Sequence, residues 1–116
     1  MMTKLIKSVR QLIIQELTEA NKNFPLFSSS HEAYATLKEE TEETSDESKN
    51  LEDILAYFWL QVKADDPNDK KTRTLKELKQ TATLCACEAI QAAAMAQKAI
   101  DSINNDKDID ETLDRR

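Results

Sequence analysis

Apolar side chains recur at three- and four-residue spacing in four stretches of this chain, and each stretch predicts a helix. The first covers about residues 3–21. Leu5, Val9, Leu12, Ile13 and Leu17, joined by Ile6 and Ala20, form a broad stripe there, with Lys4, Lys7, Arg10 and Glu19 on the other side. Residues 21–30 read as a connector, because Pro25 stops a helix; Phe24, Leu26 and Phe27 are expected to pack down. Ser29 with Glu32 three residues on has the pattern of a capping box, so a second helix is predicted to start near Ser30. Its apolar face is thin (Ala33, Tyr34, Leu37, Thr41, Thr44), and its other side is dense with Glu. The pattern loosens over residues 46–50. Asn50, with Asp53 at the N3 position, can cap a separate third helix over about residues 51–63. This helix carries Ile54, Leu55, Tyr57, Phe58, Trp59, Leu60 and Val62, and is expected to supply bulky core or an oligomer contact. Asp65, Asp66 and Pro67 end it.

The fourth helix is predicted from near Thr72 to about Ile103. Its first half is amphipathic through Leu75, Leu78 and Ala82. Its second half, LCACEAIQAAAMAQKAI over residues 84–100, has strong helix propensity and side chains small enough for close packing on several sides. Residues 1–103 are expected to form one helical domain and 104–116 a charged, frayed tail. The fold class is all-α: a bundle of four main helices with a long Ala-rich C-terminal helix.

Composition narrows the function. The 116-residue chain has no glycine and two prolines, which excludes a P-loop and a Rossmann fingerprint, since both need Gly where backbone approaches phosphate. A net charge of −6 argues against nucleic acid or an anionic membrane as partner through a general basic surface. No apolar run is long enough to span a membrane, and no apolar segment follows the charged first eight residues, so a cytoplasmic protein is expected. Cys85 and Cys87 point to different faces of one helix and fit no zinc or redox spacing; buried, reduced thiols are expected. The single histidine, His31, in the first turn of the second helix, leaves no material for a His-rich metal site.

Two features bear on chemistry. Glu88 shares its helix face with Leu84, Cys85, Ala92 and Met95, where an unpaired carboxylate would be costly to bury. The second helix carries Glu39, Glu40, Glu42 and Glu43, with Glu39 and Glu43 at a repulsive four-residue spacing. A solvated acidic face accounts for the run by itself. A hard divalent cation shared between the two helices accounts for both features, because oxygen-only clusters suit Mg²⁺ or Mn²⁺.

The segments HEAYATLKEETEE and CEAIQAAAMAQKAI together resemble the MazG-type superfamily of all-α nucleoside-triphosphate pyrophosphohydrolases, over about residues 30–103. The resemblance implies a MazG-like helical bundle, assembled as a homodimer or higher homo-oligomer. It also implies Mg²⁺-dependent (or Mn²⁺-dependent) hydrolysis of a nucleoside triphosphate, as substrate, to the monophosphate and pyrophosphate. Carried onto this chain, it makes Glu40 and Glu43 metal ligands from an EE-x-x-E motif, Glu39 the acid that assists or activates water, and Glu88 the first acid of an E-x-x-D motif. The Asp of that motif is replaced by Gln91, a neutral and weaker ligand. A second alignment puts Asn50 and Asp53 in the E-x-x-D place. A non-catalytic interaction protein that keeps the fold is the alternative that Gln91 favours.

Overall fold

The computed structural model describes residues 2–114, with side chains described through residue 105. Over these it holds three helices and no strand: α1 (Met2–Ala20), α2 (Ser30–Lys63) and α3 (Asn68–Asp114). The all-α class is as expected, but the count of four helices is not. Residues 46–50 are helical, so the expected second and third helices are a single helix of 34 residues, about 51 Å long at 1.5 Å per residue. Asp, Ser and Asn cost a helix interior only about 0.5 kcal/mol each relative to Ala, and neither Gly nor Pro occurs anywhere in α2 to break it. α3 starts directly after Pro67 and continues through Asp114, which takes in the segment expected as a tail; Arg115 and Arg116 lie outside the described residues.

The ends of α2 follow from local chemistry. Ser29 Oγ accepts the Glu32 backbone N–H at 3.1 Å, and the Ser29 carbonyl accepts from Ala33. The Glu32 carboxylate takes the Ser28 hydroxyl. At the other end, the Asp66 N–H donates to the Gln61 carbonyl (3.0 Å) and the Asp65 N–H to the Val62 carbonyl (3.1 Å), the two bonds of a Schellman motif. That motif needs a left-handed residue, usually Gly. In a chain without glycine, Asp65 fills the place at φ 54°. The Pro67 carbonyl then accepts the first N–H groups of α3, from Lys70 and Lys71.

The chain divides into two compact units, one built from the chain up to Glu40 together with the chain from Ile90 onward, the other from residues 41–89. In the first, Phe27, Ala33, Ala94, Met95 and Ala99 form the core, with Ile13, Leu17 and Leu37 packed against it. Ala94 is 0% exposed, so helices approach closely where the sequence supplies alanine. No residue of α1 is fully buried, and Leu5, Ile6 and Leu12 of its expected stripe are exposed. Of the three connector residues expected to pack down, only Phe27 does; Phe24 and Leu26 face solvent. The Phe27 N–H donates to Ser102 Oγ (2.8 Å), and that hydroxyl donates to the Lys98 carbonyl (2.7 Å). Lys98 is itself buried, with its ammonium 4.8 Å from the centre of the Phe27 ring, a cation–π contact that helps keep the charge in the core.

The second unit is an αα-hairpin of the C-terminal half of α2 and the N-terminal half of α3. Its fully buried residues are polar: Gln61, Thr74 and Thr81. Of the aromatic stretch expected to supply core or an oligomer contact, Ile54 and Phe58 are half-buried, whereas Trp59 is 57% exposed and Tyr57, Leu55, Leu60 and Val62 are exposed beside it. Lys63 sits over the Trp59 ring at 5.6 Å.

Both long helices carry a regular seam of covered positions. On α2 these are Ala33, Leu37, Glu40, Thr44, Glu47, Leu51, Ile54, Phe58 and Gln61; on α3 they are Thr74, Leu78, Thr81, Cys85, Glu88, Ala92, Met95, Ala99 and Ser102. Each series alternates steps of four and three, the heptad spacing of coiled-coil packing. The seam runs straight through the polar residues 44–48, which is why α2 does not break there. Among the described residues, no helix is long and apolar enough to cross a membrane.

Candidate metal centre

Heptad spacing puts two acids on the seams themselves. Glu40 occupies a covered position of α2 and Glu88 one of α3; Glu43 lies one turn after Glu40 and is exposed. Beside them, Cys85 Sγ reaches the Thr44 carbonyl at 3.9 Å, which fixes α3 against α2 one turn from Glu88. One carboxylate oxygen each from Glu40, Glu43 and Glu88 lies within 4.8 Å of the others. These are the three residues that the resemblance implies as acid ligands.

The donor set fits a hard cation. Two oxygens on opposite sides of Mg²⁺ stand about 4.2 Å apart at the usual 2.1 Å bond length, and Mn²⁺ accepts the same oxygen ligands. Of three octahedral ligands at most one pair stands opposite, so carboxylates within 4.8 Å would close to about 3 Å in the other pairs on binding. Each pair of like charges at such a spacing repels by on the order of 1 kcal/mol in a water-like medium, and a divalent ion would reverse the sign of that interaction. Glu88 is half-buried, not fully buried as its apolar neighbours in sequence suggested, and so faces a milder desolvation cost.

The remaining predicted residues are placed as follows. Glu39 is exposed on α2 next to Glu40 and is not one of the three converging acids. Gln91 lies one turn past Glu88 on α3, half-buried, and its Nε2 donates to Glu16 Oε2 at 2.7 Å. Asn50 and Asp53, the second alignment, are both exposed and contribute nothing to the cluster. Cys85 is half-buried and Cys87 exposed, so neither thiol has the full burial expected of it; both are free. Nothing in the sequence signals Glu16. It belongs to the first helix, where the apolar stripe drew attention to packing, and no local motif links it to Gln91.

No family model, no curated protein and no solved structure matches this chain.

Proposed function

We propose that the chain is a MazG-like nucleoside-triphosphate pyrophosphohydrolase. The observation that carries the reading is the convergence of Glu40, Glu43 and Glu88 within 4.8 Å, three acids named by two separate sequence motifs. These carboxylates would hold Mg²⁺ or Mn²⁺, which when bound supplies positive charge against the triphosphate and makes nearby water more acidic. Glu39, exposed beside Glu40, would accept the proton of the attacking water. Attack at the α-phosphorus breaks its bond to the bridging oxygen, releasing a nucleoside monophosphate and pyrophosphate. The large exposed apolar side chains of the hairpin, Leu55, Tyr57, Trp59, Leu60 and Val62, support the accompanying proposal of a homodimer.

One observation favours the second reading, a non-catalytic protein with the same fold. Gln91 stands where an active relative carries Asp, and its amide nitrogen is engaged by Glu16. Pyrophosphate release from a panel of deoxynucleoside triphosphates with Mg²⁺ separates the two. Release that falls about a hundredfold or more in Glu88→Gln supports the enzyme. Metal-dependent stabilisation with no release from any nucleotide supports the binding protein.

A further inference from the structure

A second polar site lies far from the acids, at the turn of the hairpin. Tyr57 and Gln61 of α2 and Lys70, Arg73 and Thr74 of α3 line a cavity of about 280 Å³. Along α2, Gln61 is 18 residues beyond Glu43, about 27 Å at helical rise. Two features of the cavity wall are unexplained by folding. Gln61 is only 4% exposed, yet its side-chain oxygen Oε1 is buried with no hydrogen-bond donor among the described residues. A buried acceptor of that kind is costly, and native proteins nearly always satisfy it. Lys70, Lys71 and Arg73 also occupy the first two turns of α3, where the partial positive charge of the helix start disfavours cations. Asp69 offsets only part of this. It meets Arg73 at 3.4 Å, with both side chains about three-quarters exposed.

An anion seated in the cavity answers the misplaced cations, and a hydrogen-bond donor on the same molecule answers Gln61. Gln61 lines the cavity and its terminal amide torsion is soft, so rotation about that torsion can present Oε1 to such a donor. Arg73 offers a planar fork for an oxyanion, Lys70 a point charge and Tyr57 a phenol. The volume sits at the small end for ligand sites, which limits the occupant to a compact molecule. We propose that this cavity binds a small phosphomonoester carrying hydroxyl donors, at a site separate from the acidic cluster and independent of whether that cluster is catalytic.

The test titrates the full chain at constant ionic strength with ribose 5-phosphate, inorganic phosphate and chloride, following backbone amide shifts by ¹⁵N–¹H correlation. The expected result is saturable shifts at residues 57–61 and 68–74, with ribose 5-phosphate about fivefold tighter than phosphate. Arg73→Gln and Lys70→Gln, both exposed and without a packing role, should each weaken binding about tenfold, and Gln61→Leu should erase the preference for the sugar phosphate. Shifts that fail to saturate, that chloride reproduces, or that persist unchanged in Arg73→Gln and Lys70→Gln overturn the site. Retention of the fivefold preference in Gln61→Leu overturns the role given to Gln61.

Discussion

The two units of this molecule use the same helices differently. In the first, α3 is covered on several faces, and Ala92, Ala93, Ala94, Met95, Ala96, Lys98 and Ala99 are all buried or half-buried. In the second, two helices cover mainly their facing seams: on α3 between Thr74 and Glu88, only Thr74, Leu78, Thr81, Cys85 and Glu88 lose most of their exposure. Three elements can enclose a core, whereas two leave their outer faces bare. The residues follow suit. The enclosed half of α3 is rich in alanine, which allows close approach, while the hairpin carries large apolar groups outward with polar ones buried between the helices. Stability should therefore reside mostly in the first unit, whereas exposed large apolar side chains occur in both, along α1 (Leu5, Ile6, Leu12, Ile14) as well as on the hairpin.

The largest effect that would break this contrast is in the enclosed core. Phe27→Ala removes a buried ring and the cation–π partner of Lys98, and should cost about 3–5 kcal/mol in urea unfolding. A loss no larger than that of a surface substitution would show that the first unit is not the stable one. Next comes the hairpin surface. Trp59→Ser with Leu60→Ser should change the stability of an isolated chain by only about 1 kcal/mol or less, yet shift the mass in light scattering from that of the proposed dimer to that of a monomer. An unchanged dimer would remove this face from the interface. The smallest effect is at the turn. Asp65→Gly relieves a left-handed residue at φ 54° and should stabilise by about 0.5–1 kcal/mol, with Asp65→Val destabilising. If both variants match the wild type, the Schellman turn does not limit the hairpin.

Much of this was legible in the sequence, for identifiable reasons. Ser29 before a polar first turn announced the start of α2, and Asp65-Asp66-Pro67 its end, because caps are local chemistry. The acids were singled out through the family resemblance, which says nothing by itself of distance; in the structure one oxygen each of Glu40, Glu43 and Glu88 lies within 4.8 Å of the others. The continuity of α2 was hidden because residues 46–50 are individually poor helix formers, and weak propensity looks like a break when no contact is in view. The signal that could have shown it is the four-three alternation through Thr44, Glu47, Leu51 and Ile54, a packing period carried partly by polar residues. The sequence leaves open whether Trp59 packs inside the chain or against another, and in the structure it is exposed. Bulk predicts that a side chain should be covered, but not by which chain.

The proposed cation site of Glu40, Glu43 and Glu88 is tested most directly by thermal unfolding of the full chain with and without Mg²⁺. Ligand that binds only the folded state at about a hundred times its dissociation constant adds about 2.7 kcal/mol, a rise of several degrees for a chain of this size. The wild type should show such a rise, with Mn²⁺ acting likewise, and Glu88→Gln should lose it. A melting temperature indifferent to either metal, or a rise that survives Glu88→Gln intact, would contradict the site.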